Sequence, residues 1–191
     1  MDYEKAILDY LERTRELTLA LNVASVDRFI GMLEEARMRG AFIYIMGNGG
    51  SAATASHFVN DFNKGVSEGI QPRYKLVSLN DNVSTMLAVA NDISYDEIFR
   101  FQLENFVTSN DLVIGISGSG NSKNVVNAFE LARSKGAKTI ALVGFDGGKL
   151  LKMADHSVHI PIDNMQHVED FHMILDHLAM FILKQGRKGT N

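Results

Sequence analysis

The sequence of 191 residues contains no cysteine. Disulfides, thiolate metal sites and cysteine nucleophiles are excluded together, and the composition fits an intracellular, cytoplasmic protein. No apolar run approaches the roughly 18 residues a membrane span needs. The charged start Met1-Asp-Tyr-Glu-Lys5 lacks the apolar core of a signal peptide. Basic residues are not in excess: 19 Lys and Arg stand against 23 Asp and Glu, a formal net charge of −4. Neither nucleic acid nor a membrane is therefore expected as a partner. Two phosphate fingerprints are missing as well. Gly47-Asn-Gly-Gly-Ser51 lacks the Gly-Lys-Ser/Thr of a P-loop, and position 52 is alanine where Gly-x-Gly-x-x-Gly needs its third glycine.

What is present is enough apolar material, 46% of residues, for one sizeable core. Apolar spacing predicts a helix over about 3–21 and a second from Val26 to Met38, with Ser25 as its N-cap. These precede the first strand, so they need the sheet or another subunit to pack on. Strands are then expected at 42–46, 74–79, 111–115, 138–144 and 156–162. Helices are expected at 51–64, 82–90, 95–106, 124–135, 149–154 and 165–184. Alternating strands and helices predict one α/β domain over 1–191: a five-stranded parallel sheet in a flavodoxin-like three-layer sandwich. Residues 1–40 are a leading helical pair for packing or oligomerisation, 41–185 the α/β core, and 186–191 a frayed tail.

Two loops carry the strongest functional signal. Gly47-Asn-Gly-Gly-Ser51 follows the first strand and runs straight into a helix; Ser117-Gly-Ser-Gly-Asn-Ser122 follows the third. Glycines let backbone approach a ligand, helix N-termini offer free N–H groups, and hydroxyls add donors. Taken alone, the first loop can also be read as a tight strand-to-helix turn and the second as a polar loop capping the helix after it. Together, at the carboxyl ends of parallel strands, they point to a phosphate or phosphosugar. His57 and Asp61 are i and i+4, on one helix face. Such a pair is commonly just solvated; with further ligands it could hold a divalent metal or act as an acid–base pair. Asn91-Asp92 reads locally as capping. The last helix carries His167, Glu169, Asp170, His172, Asp176 and His177, mostly accounted for as a surface polar stripe.

Taken together these residues resemble the sugar isomerase (SIS) domain family, and within it the phosphoheptose isomerases. The resemblance rests on the leading helices, Gly47-Asn-Gly-Gly-Ser-Ala-Ala53, His57-Phe58, Ala90-Asn-Asp92, Gly115 to Ser122, Asp146-Gly-Gly-Lys149 and the closing acidic-x-x-His helix. It implies an enzyme that interconverts sedoheptulose 7-phosphate and D-glycero-D-manno-heptose 7-phosphate through an enediol, for heptose or lipopolysaccharide biosynthesis. It also implies a homotetramer with sites at subunit boundaries and one Zn2+ per site. By position, Asn48, Gly49, Gly50, Ser51, Asn91 and Asp92 would contact the sugar, and Ser117, Gly118, Ser119 and Ser122 the phosphate. His57, Asp61, Glu169 and His177 would surround the metal, with Glu169 also touching substrate. Asp61 and His177 would be the acid–base pair.

The sequence departs from the family at three positions: Asp61 replaces glutamate, Gly118 replaces threonine and Glu169 replaces glutamine. The resemblance therefore also admits a non-catalytic SIS scaffold of the replication-initiator-associating type. A third reading is an isomerase of another sugar phosphate, with a pocket reshaped at Gly118.

Overall fold

The structure, a computed structural model, describes residues 2–188. Five parallel strands form one sheet in the order β2-β1-β3-β4-β5. They are β1 (Ile43–Gly47), β2 (Leu76–Ser78), β3 (Leu112–Ser117), β4 (Lys138–Val143) and β5 (His156–His159). The helices are α1 (Tyr3–Ala20), α2 (Val23–Met38), α3 (Gly50–Asn60), α4 (Val83–Asp92), α5 (Arg100–Glu104), α6 (Lys123–Ser134), α7 (Gly148–Met153) and α8 (Met165–Lys188). The expected three-layer α/β sandwich is what the chain forms.

Alternation along the strands builds the layers. Ile43 and Ile45 of β1, Ile114 and Ile116 of β3, and Ile140 and Leu142 of β4 face the side covered by α2, α3 and α8. Tyr44, Met46, Val113, Ala141 and Val143 face the side covered by α4 to α7. Because both faces are covered, β1 and β3 are buried at every residue. Each fully buried Ile or Phe contributes on the order of 1.5–3 kcal/mol. The chain leaves β1 toward β2 and leaves β3 toward β4, so the strand order reverses between β1 and β3. Gly47 pairs with Ile116 there, and the crevice past their carboxyl ends is where open α/β sheets bind ligands.

Element boundaries differ from expectation for local reasons. The N-cap of α2 is Asn22, whose side chain accepts from Ser25 N; the Ser25 hydroxyl instead donates to Ser157 O at 2.7 Å. Strand β2 is shorter than 74–79 because Tyr74 leaves the ladder: its N–H goes to Ser67 Oγ and its ring packs edge-on against Phe62. The third helix does not stop at Lys64. From Asp61 to Val66 it widens to i→i+5 bonding, with Ser67 N donating to Phe62 O at 3.0 Å. Asn91 and Asp92 are the last two residues of α4 rather than caps, and that helix is capped by Asn82. Helix α8 runs past Lys184 to Lys188, so part of the expected tail is helical; 189–191 lie outside the described residues.

Of the leading pair, α2 buries Phe29, Met32 and Leu33 in the core. Helix α1 buries only Leu17 and leaves Tyr3, Ile7, Leu8 and Leu11 uncovered. It is fixed to α8 by Tyr10, whose ring stacks on His167 at 4.0 Å and whose hydroxyl donates to Asp170. Among the described residues no helix is long and apolar enough to cross a membrane.

Candidate active site

The two glycine–serine loops start side by side and are tied together. Asn48 Nδ2 donates to Asn124 Oδ1 and Asn124 Nδ2 donates to Asn48 Oδ1, both at 2.9 Å. The Tyr95 hydroxyl also donates to Asn48 Oδ1, at 2.9 Å. Asn80 brackets Gly47, accepting from its N–H at 3.1 Å and donating to its carbonyl at 2.8 Å. Gly49 has φ 55° and ψ −122°, a conformation open to glycine, and turns β1 into α3. The N-cap residues Gly49 and Ser122 make no side-chain cap. Ser51 N and Ala52 N donate to the Asn48 and Gly49 carbonyls, and Val125 N donates to Asn124 Oδ1 at 2.9 Å. It is the first one or two N–H groups of each helix, beside Ser51 and Ser122, that can meet an anion. The Ser117 and Ser122 hydroxyls lie 3.0 Å apart, and Ser119 is exposed at the tip.

The second loop is fastened from behind by the Asp146-Gly-Gly-Lys149 turn. Gly144 N donates to Gly118 O at 2.8 Å, Leu150 N to Gly120 O at 3.0 Å, and Lys149 N to Asn121 Oδ1 at 3.1 Å. The approach is backbone to backbone: a Cβ on Gly120 would stand 2.0 Å from Gly147 O. At Gly118 the space a side chain would take is filled from α8, with Met165 Sδ 2.5 Å from an added Cβ. The glycine there does not open the pocket. It admits Met165, so the space given up by the expected reshaping at Gly118 is taken by a side chain of α8.

Helix α3 and the widened segment that follows it, Asp61–Val66, lie along α8. Gly50 is against Glu169, and Gly65 is against Met180. Between these contacts four side chains converge. His57 Nε2 is 3.1 Å from His177 Nε2, 3.5 Å from Asp61 Oδ2 and 3.8 Å from Asp176 Oδ2. His177 Nε2 is 4.0 Å from Asp61 Oδ2. All four donor atoms lie within 4.8 Å of one another. Meeting Nε2 to Nε2, the two rings leave room for at most one proton between them. Both Asp176 oxygens are buried without a hydrogen-bond partner. Burial, and then the neighbouring Asp61, push the Asp176 carboxyl up to about 8. Nitrogen and oxygen donors in this number fit a divalent cation.

Of the residues expected around a metal, the chain brings together His57, Asp61 and His177. Glu169 does not join them within one copy. Its carboxylate lies against Gly50, seven residues before His57 on α3, which is about 10 Å of helix rise. It stands instead beside the loops that would hold substrate. Asn91 and Asp92 are exposed at the end of α4, where Asn91 Nδ2 donates to Asp92 Oδ1 at 2.8 Å.

A family model described as the SIS domain matches residues 2–144. The chain belongs to the SIS domain family. Within that family it is similar to phosphoheptose isomerases. One from Helicobacter pylori strain Shi470 is 40% identical over 175 residues, covering 88% of this chain and 85% of that protein. One from Chlorobium phaeobacteroides is 35% identical over 188 residues, covering 96% and 83%. The solved structure of phosphoheptose isomerase GmhA from Neisseria gonorrhoeae superposes with a TM-score of 0.87. It is 27% identical and covers 97% of this chain and all of that one.

This SIS chain holds residues at its site that sequence reading missed. Asn80, Tyr95 and Asn124 shape the cradle from distant segments, and nothing in their local sequence marks them. Asp176 had a signal, one it shares with the buried His172 elsewhere on α8. They fall in the register of Val168, Phe171, Leu175 and Ala179, the stripe that α8 buries. The expected polar surface stripe is therefore wrong for His167, His172 and Asp176, which are 4%, 1% and 0% exposed. Burial pushes the His172 imidazole down to about 4, opposed by the backbone of Val143.

Proposed function

We propose that this SIS protein is a phosphosugar aldose–ketose isomerase that converts sedoheptulose 7-phosphate to D-glycero-D-manno-heptose 7-phosphate. One observation carries the reading. The helix that starts at the glycine turn of a phosphate-type cradle also presents His57 and Asp61 to His177 of α8. Ser117, Ser119 and Ser122, with the N-terminus of α6, hold the phosphate. Asn48, Gly49, Gly50, Ser51, Asn91, Asp92 and Glu169 hold the sugar hydroxyls.

The chemistry is a proton moved between adjacent carbons. A base takes the proton from C1 of the ketose while an acid protonates the C2 oxygen, giving the enediol. The O1 proton then leaves and C2 is reprotonated, which yields the aldose. Asp61 and His177 are the acid–base pair: each stands at the seam of α3 and α8 beside His57, and each keeps a second atom for the proton, Asp61 Oδ1 and His177 Nδ1, when its Oδ2 or Nε2 faces a cation. General acid–base groups of this kind contribute roughly 10²–10⁴-fold each. His57, Asp61 and His177 would hold a divalent cation, which we take as Zn2+, and it would supply charge stabilisation at the substrate carbonyl.

We further propose a cytoplasmic homotetramer, with the active site completed between copies. The uncovered apolar face of α1 supports association, as do the exposed Val83 and Leu87 of α4. The distance of about 10 Å along α3 between cradle and acid–base cluster supports a site shared by two copies.

The test is conversion of a panel of pentose, hexose and heptose phosphates by the purified protein, with Asp61→Asn and His177→Ala as controls. Heptose phosphate is expected to turn over, and both variants to lose turnover while phosphosugar binding stays measurable. Retention of full activity by both variants contradicts the assignment of roles.

A further inference from the structure

Asp176 has no exposed surface, and neither carboxylate oxygen meets a protein donor. A buried acid in that condition destabilises a fold unless something else satisfies it. The side chain is aimed at a particular place. Its Oδ2 is 3.8 Å from His57 Nε2, on the seam that also gathers Asp61 and His177. Donor atoms bound to one tetrahedral cation at about 2.0–2.2 Å stand roughly 3.4 Å apart. The four atoms here approach that spacing already. Glu169, by contrast, lies against Gly50 at the far end of the helix pair.

We propose that Asp176 is the fourth protein ligand of a divalent cation, completing with His57, Asp61 and His177 a set drawn from a single copy. This deepens the isomerase reading, on whose metal it rests, and it changes the ligand set that the family resemblance implies. Two carboxylates from opposite helices balance the charge of the cation. The short reach of Asp61 is offset by a second carboxylate facing it across the seam. Glu169 is thereby left on the cradle, where it contacts substrate rather than metal.

The experiment is Zn2+ binding to the chelator-stripped full-length protein, read by competition with a chromophoric chelator, together with the visible spectrum of the Co2+ form. Asp176→Asn and Asp176→Leu are expected to weaken Zn2+ binding by about 100-fold, the upper end of what losing a supporting group costs a metal site, and to change the Co2+ spectrum. Glu169→Gln is expected to shift affinity less than about threefold and to leave the spectrum unchanged, since a residue outside the first coordination sphere does not alter its geometry. Thermal melting of the stripped proteins controls for folding. Asp176→Leu removes an unpartnered acid, so its melting temperature is expected to equal or exceed that of the wild type. Wild-type affinity in both Asp176 variants overturns the proposal, as does a large loss in Glu169→Gln alone. A wild-type protein that binds no Zn2+ overturns it together with the metal. Turnover on the same preparations tests the isomerase reading separately: Zn2+ binding through Asp176 without sugar phosphate turnover keeps this inference and removes that one.

Discussion

Asn48 and Asn124 hold each other by two hydrogen bonds, each amide nitrogen donating to the other's oxygen at 2.9 Å. They sit 76 residues apart in the chain and join the loop after β1 to the first turn of α6. The pair sets the width of the crevice between the two loops.

Replacing Asn124 by Ala leaves a polar group of Asn48 unmatched at a half-buried position. A loss of about 1–3 kcal/mol is expected, measured by urea denaturation. Phosphosugar affinity should fall as well, because the loops are no longer held at one spacing. Asn124→Asp should be as damaging, since it sets acceptor against acceptor.

Two glycines of the second loop should respond in opposite degrees. Gly120 has φ 63° and its added Cβ would meet the Gly147 carbonyl, which is backbone and cannot swing away. Gly120→Ala is expected to cost about 3 kcal/mol or more, as strain and overpacking add. At Gly118 the obstacle is the end of the Met165 side chain, which can rotate. Gly118→Thr should cost about 1–2 kcal/mol, and Met165→Ala in the same chain should recover most of it. Thermal denaturation of the single and double variants checks both statements.

His172 gives stability a defined acid dependence. Its folded pKa is about 4, below the ordinary value of 6.5, because burial disfavours the imidazolium. The unfolded chain therefore binds more protons than the native one between those two values, and acid favours unfolding there. Stability from this group is fully present above pH 6.5 and declines as pH falls toward 4, by a total of about 3 kcal/mol. His172→Phe should flatten that slope in a series of denaturation curves from pH 7 to 4. An unchanged slope would assign the acid sensitivity elsewhere.

The fold was legible because its signals are local. Strands β1 and β3 are nearly continuous apolar runs, as sheets covered on both faces require; Gly47 ends β1, whereas β3 runs past Gly115, its expected end, to Ser117. His57, Asp61 and His177 could be placed on helices by spacing. What could not be read was the pairing of α3 with α8, which alone decides that Glu169 meets Gly50 while Asp176 meets His57. Side-chain register between two helices depends on which small residues allow close approach, here Gly50 and Gly65. Asp176 was also hidden by its type: an acid on a helix rich in charges reads as surface until its register with Phe171 and Leu175 is followed. Strand β2 was overextended because Tyr74 is a good strand residue whose N–H was drawn off by Ser67.

The role proposed for the seam of α3 and α8 is to move a proton on a sugar phosphate. Deuterium incorporation from heavy water into sedoheptulose 7-phosphate, followed by proton NMR, reads that step even when net conversion is small. Exchange at the carbon next to the carbonyl is expected with the wild-type protein and its loss with His177→Ala. No exchange with the wild-type protein supplied with Zn2+, while the phosphosugar still binds, would contradict the account.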